Sequence, residues 1–233
     1  IVFDRAYCQY AKCGASRLSL MTGLRPDSIN VYGHNDKPVA EFRKRRPDAV
    51  SMARWFKENG YHTRGLGKID HDDEEKKSSV ISERWNCPVI QSPDVPDQAL
   101  FAGRMTDEAI RILREKPEND APLFLAVGYR RPHLPFVAPL RYFDLHKPDS
   151  SWLEEDQTPS STIPVMAFFN SDGYVGGAKR IGLEMPNPPS RKEATLWNGY
   201  EMRSYIGVPP SGEIDQETQL NLIHAYAACV SYV

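Results

Sequence analysis

The chain has 233 residues, a formal net charge of −2, 40% hydrophobic residues and 10% aromatic ones. That composition supports a packed core of one or two domains and excludes a disordered chain. The near-neutral charge balance leaves no nucleic-acid footprint, and no stretch approaches the ~18 apolar residues a membrane span needs.

The four cysteines, Cys8, Cys13, Cys87 and Cys229, follow no staple pattern, and no Cys-x-x-Cys pair suggests zinc. The sequence starts at Ile1 without Met, so an export signal ahead of it is not tested by its absence here.

In chain order, Ile1-Val2-Phe3 reads as a short strand. A helix follows from about Cys13, stopped by Gly23, with Arg25-Pro26-Asp27 as the turn after it. Cys13 then lies at the helix N-terminus, where free N–H groups and a partial positive charge suit an anion. The basic run Arg43-Lys44-Arg45-Arg46 reads as a solvated loop or helix end, with polyanion binding as the alternative.

Residues 51–59 form the next predicted helix, with Met52, Trp55 and Phe56 on one face and Gly60 as its cap. Residues 61–66 read as a strand running into Gly65-Leu66-Gly67-Lys68. Ile69-Asp70-His71 then enters a polar, acidic loop, and 78–98 look irregular.

Residues 98–115 predict a helix with Phe101, Met105, Ala109, Ile112 and Leu113 sharing a face. Leu123-Phe124-Leu125-Ala126-Val127 is a continuous apolar run, the pattern of a strand buried on both faces of a parallel sheet. Residues 146–212 are rich in Pro, Ser, Gly and Asn and read as a substrate-facing insertion. Residues 213–233 return to helix, with Leu220, Ile223, Tyr226, Ala227 and Val230 on one side.

Helix and strand alternate, which points to an α/β fold with a mainly parallel sheet flanked by helices. Ligands bind such sheets at the carboxyl ends of the strands. Lys68, His71 and His133 follow predicted strands and Cys13 heads a helix, so these separated segments are expected to converge on one pocket.

Taken alone, Cys13 at a helix start with Arg17 one turn on suggests an activated sulfur. A cysteine nucleophile with His71 or His133 as base is one reading, and a buried free thiol the other. Lys68 and His71 could hold an anion and move a proton, or be a surface Lys and a loop His. Gly-Leu-Gly-Lys is not a P-loop, because the spacing and the Ser/Thr are missing. His133 stands between two prolines, which stiffen it for either a catalytic or a structural role. His34, His62 and His146 match no catalytic position, and His224 and Cys229 read as packing or surface. Trp152 and Trp197 suit either sugar stacking or simple packing.

Four blocks in order resemble the sulfatase family: Cys13-Gly14-Ala15-Ser16-Arg17 with its following Thr22-Gly23; Trp55 to Tyr61 with Gly67-Lys68-Ile69-Asp70-His71; Phe124 to Phe136; and Tyr226 to Val233. The third block is similar to the iduronate-2-sulfatase branch in particular. The resemblance implies an alkaline-phosphatase-like α/β fold, of which residues 1–233 would be part of the N-terminal catalytic domain. It also implies calcium-dependent hydrolysis of sulfate esters of carbohydrates.

In that family the signature cysteine, by match Cys13, is oxidised to formylglycine by a maturase that reads Ser16 among others. One hydroxyl of the hydrated aldehyde attacks sulfur, the alcohol leaves, and the second hydroxyl expels sulfate. Carried over by position, Arg17 would orient the hydrate and Lys68 would bind sulfate oxygens. His71 would accept the hydrate's proton, and His133 would contact sulfate and protonate the leaving alcohol. Formylglycine at Cys13 would be one metal ligand, and the remaining carboxylate ligands would lie outside this chain.

Ala15 stands where many members have Pro. The resemblance further implies an exported or lysosomal compartment. Two rival readings are a phosphodiesterase or phosphonate hydrolase of the same superfamily, and an inactive, truncated sulfatase-like binding protein.

Overall fold

A computed structural model describes residues 2–32, 38–69, 87–115, 120–157, 160–164, 190–192 and 199–233. The chain divides into two compact units, Ile1–Ser78 with Gly103–Arg130, and Ser79–Ala102 with Arg131–Val233. Each unit has its own apolar cluster.

The first unit opens with α1 (Cys13–Thr22), which ends where Gly23 adopts a left-handed conformation and donates its N–H back to the Ser19 carbonyl. The expected turn at Arg25-Pro26-Asp27 is instead a one-turn helix, α2 (Pro26–Ile29), because Pro26 at its first position presets a helical φ and gives up no needed N–H. Next is α3 (Pro38–Arg45), whose last turn carries the exposed Arg43, Lys44 and Arg45; the basic run is a helix end. Leu18, Ile29, Val31 and Phe42 from these elements form one buried cluster.

Ser51 caps α4 (Met52–Glu58) by accepting the Arg54 N–H. No residue of α4 is fully buried. Phe56 stacks on Phe124 with ring centroids 4.4 Å apart, while Trp55 lies mostly exposed at the edge of Phe56. β1 (His62–Gly67) and β3 (Leu123–Gly128) pair in parallel, from His62 opposite Leu123 to Gly67 opposite Gly128. The parallel pairing follows the sequence reading, but β3 is half-buried along its whole length rather than enclosed. Among the described residues it has one strand neighbour, β1, so its other edge gains no cover from a further strand.

Between them runs α5 (Phe101–Arg114), two residues of which precede the first unit's second segment. It buries Ala102, Met105, Ala109 and Ile112; Leu113, expected on that face, is 65% exposed. At 100° per residue, Leu113 lies on the opposite side of Ala109 from Met105 and Ile112, at the edge of the buried face. Val2 and Phe3 lie outside any strand and are largely exposed, since no described neighbour pairs with them.

In the second unit β2 (Ile90–Gln91) lies parallel to β4 (Phe136–Val137). A short helix, α6 (Leu140–Phe143), follows, and then a 3-10 turn at Ser150–Trp152. The expected insertion at 146–212 falls largely outside the described residues, as does Trp197; Trp152 packs edge-on against His146. α7 (Tyr200–Arg203) and α8 (Gln216–Tyr232) complete the unit. Asp215 caps α8 by accepting the Thr218 N–H.

The buried face of α8 is Leu222, Ala225, Ala228 and Cys229, not the expected one; Ile223, Tyr226 and Val230 are exposed. The helix is apolar nearly all round, so side-chain bulk decides. Its alanines and cysteine allow close approach to α6 and β4, which larger residues would prevent.

Candidate active site

The site of the first unit is built on the first turn of α1 and the carboxyl ends of β1 and β3. Cys13 is the first residue of α1. Lys12 stands at the cap position with extended backbone and makes no side-chain cap bond to the helix, and no acidic residue occupies the first turn. The helix therefore presents its partial positive charge with no carboxylate in its own first turn. Cys13, Ser16 and Arg17 stand at i, i+3 and i+4 and share one half-buried face, while Gly14, Ala15, Leu18 and Ser19 are buried. None of the four cysteines forms a disulfide.

Arg17 leaves α1 and donates from Nη1 to the backbone carbonyl of Lys68, the residue that follows β1. The Lys68 N–H in turn donates to the Gly128 carbonyl at 2.7 Å, at the end of β3. The helix that carries Cys13 and the two strand ends are thus tied through one residue. Lys68 itself is only 5% exposed. Among the described residues no carboxylate pairs with its ammonium. A buried cation is costly unless something anionic compensates it, so this position is suited to an anionic ligand.

Two glycines make the close approach possible. A Cβ on Gly128 would overlap the carbonyl carbon and oxygen of Lys68, both backbone atoms that cannot swing aside. Gly67 has φ +68, and a Cβ there would strike Met105 and the Gly128 carbonyl. The sequence reading took both glycines only as parts of motif blocks and missed this steric role; for Gly128, its place directly after an apolar strand run was the available signal.

Of the other expected residues, His71 lies outside the described residues. His133 belongs to the second unit. Its Nδ1 is 2.7 Å from the Leu134 carbonyl oxygen, its own carbonyl accepts from Arg131 Nη1 at 3.0 Å, and its Nε2 is 3.6 Å from Glu201 Oε1. Glu201 was not singled out from sequence, because it sits in an irregular stretch with no periodicity to place it. In the same unit, burial pushes the Cys229 thiol up to about 11, against the opposing influence of the Arg131 charge, so it stays protonated and packs as an apolar group.

A hard dication such as calcium needs six or more oxygen ligands. Among the described residues no group of three or more His, Cys, Asp or Glu side chains could hold a metal ion. The described part of the chain therefore does not by itself form a calcium centre. No helix among the described residues is long and apolar enough to cross a membrane.

A sulfatase family model matches residues 1–233. The chain is 30% identical over 263 aligned positions to mouse iduronate 2-sulfatase, covering 100% of this chain and 43% of that protein. It is 29% identical to human iduronate 2-sulfatase, covering 72% of this chain and 35% of the relative. A sulfatase of Formosa agariphila is 26% identical, with coverage of 100% and 46%. The chain thus spans less than half the length of these relatives. With the Cys13–Arg17 helix face tied to Lys68 at the end of a parallel strand pair, and with the family match running the full length, this chain belongs to the sulfatase family.

Proposed function

We propose that the full-length protein hydrolyses sulfate esters of a carbohydrate, in the manner of its iduronate-2-sulfatase relatives. The observation that carries this is the junction of α1 with Lys68. It puts a cysteine at an uncapped helix start, a guanidinium one turn on, and a buried ammonium into one short chain of bonds. Such a set suits a tetrahedral oxyanion, and it supplies donors where negative charge develops during transfer.

In this reading Cys13 is oxidised to formylglycine by a maturase, and the modified group supplies the nucleophile for attack at sulfur. Lys68 binds the sulfate oxygens. Arg17 anchors the Lys68 backbone through one Nη and keeps its remaining donors for the nucleophile's oxygens. His71 takes a proton from the nucleophile, and His133 gives one to the departing alcohol. Any calcium would draw its ligands, apart from the formylglycine at Cys13, from residues other than those described. The protein would work in an exported or lysosomal compartment.

The test is mass spectrometry of the Cys13 peptide from a host with a competent maturase, together with turnover on matched sulfate and phosphate esters. The expected result is a peptide about 18 Da lighter than the thiol form, and preference for sulfate. An unmodified thiol would favour a non-catalytic relative, and preference for phosphate would favour a phosphodiesterase or phosphonate hydrolase.

A further inference from the structure

The basic run at the end of α3 has no part in the chemistry proposed above. Residues 38–46 hold four cations, Arg43, Lys44, Arg45 and Arg46, against the single carboxylate of Glu41, in a chain whose net charge is −2. Arg43, Lys44 and Arg45 occupy the last helical turn, and all three are exposed. A helix C-terminus carries roughly half a negative charge, which one cation already offsets. The positive charge here is more than the helix end needs.

Other helix ends of the first unit are arranged differently. α4 has Lys57 as its one last-turn cation. In α5, Arg111 lies between Glu108, at 2.6 Å, and Glu115. Beyond α3, Arg46 is engaged by Asp48, to which it donates from Nε at 3.3 Å and from Nη2 at 3.2 Å. Among the described residues no carboxylate pairs with Arg43 or Lys44.

The basic turn is anchored on both sides. Phe42, just before it, is 5% exposed and lies in the cluster with Leu18 of α1, and Ala49, just after it, packs on that cluster. The Arg46 N–H donates to the Phe42 carbonyl at 2.8 Å, and the Ala49 N–H to the Arg46 carbonyl at 3.1 Å. α3 packs on α1, the helix that begins with Cys13. Leu18 stands about 7.5 Å along that helix from Cys13, and packed helices are ~8–10 Å apart. The basic turn therefore lies within roughly 20 Å of Cys13, in the same unit.

We propose that this turn is a docking surface for a multiply sulfated polysaccharide, the polymer in which the reacting ester is one unit. The proposal rests on the sulfatase reading and adds a second contact to it. Sulfate groups recur along such a polymer, and their charge complements the turn. Arg43 and Lys44 hold sulfates some way along the chain from the ester at Cys13, which raises the local concentration of that ester. Nucleic acid and lipid fit less well. Phe42, the aromatic beside the run, is buried and offers no face for base stacking, and residues 43–46 present no apolar side chain to a bilayer.

The experiment uses the full-length protein, an Arg43→Gln/Lys44→Gln variant and a charge-matched control, Lys57→Gln/Arg114→Gln, which removes two exposed cations from the ends of α4 and α5. Binding is measured to heparin polymer, to single-stranded DNA and to vesicles of anionic phospholipid. Turnover is measured on a sulfated polysaccharide and on nitrophenyl sulfate. In the α3 variant heparin binding weakens about tenfold or more, and the slope of log affinity against log salt falls by about 1–2. KM for the polymer rises about as much, while nitrophenyl sulfate turnover changes less than about twofold. The control changes heparin binding less than about twofold, and Arg43→Lys/Lys44→Arg, which keeps both charges, binds as the wild type does. Unchanged heparin binding in the α3 variant, or an equal loss in the control, overturns the proposal. So does a wild type that binds DNA or the vesicles as tightly as heparin. If the wild type cleaves no sulfate ester, the sulfatase reading fails by itself. Heparin binding then judges the surface alone: a loss in the α3 variant supports it and an unchanged affinity overturns it.

Discussion

At the scale of single residues, the site depends on atoms that carry no chemistry of their own. Lys68 reaches its place because Gly128 has no side chain. Adding one methyl there sets a Cβ against the Lys68 carbonyl, and either the strand end or the residue must move. Gly128→Ala is therefore expected to lower stability by about 1–3 kcal/mol, read by denaturant titration. It should also lower sulfate ester turnover at least ~10-fold, since small displacements of positioning groups are costly. A variant that keeps full turnover would show that Lys68 is not held by this contact. The candidate residues Cys13, Arg17, Lys68 and His133 could be singled out because residue identity and motif order are local properties. Gly128 and Glu201 could not, because a steric fit and a neighbour in space leave no local pattern.

At the scale of elements, helices with strong caps were legible and their buried faces less so. Gly23 and Gly60 marked helix ends through backbone conformation, a local property. The facing of α8 was not local. Ala225 and Ala228 are fully buried, and both belong to the cluster with Phe136, Ala138 and Phe143. Ala228→Leu inserts bulk where the helix needs closeness, and is expected to cost about 1–3 kcal/mol. Val230→Leu, on the exposed side, should change stability by less than ~0.5 kcal/mol. Chemical denaturation of the two variants side by side checks the assignment; equal effects would return the buried face to the one expected from sequence.

At the scale of the whole molecule, the chain carries two separate apolar clusters. The first unit holds Leu18, Ile29, Val31 and Phe42, and the second holds the larger set around Phe136 and Cys229. Ile29 has no exposed surface. Ile29→Ala is expected to cost about 2–5 kcal/mol through lost burial and the cavity left behind. Hydrogen exchange of α1 and α2 reports the loss locally, and unchanged protection there would show that this cluster does not hold α1 in place. Because α1 carries Cys13 and Arg17, the same variant should also weaken sulfate ester turnover.

By itself the sequence determined the family, the α/β alternation, the parallel strand pair and the helix stops. These follow from motif order, hydrophobic period and backbone preference, which are written residue by residue. Only the tertiary structure decided which face of α8 is buried and that Leu113 is not. It also decided that Arg17 reaches the Lys68 carbonyl and that Glu201 stands beside His133. These are contacts between segments tens of residues apart, and their geometry is set by packing, which no local pattern encodes.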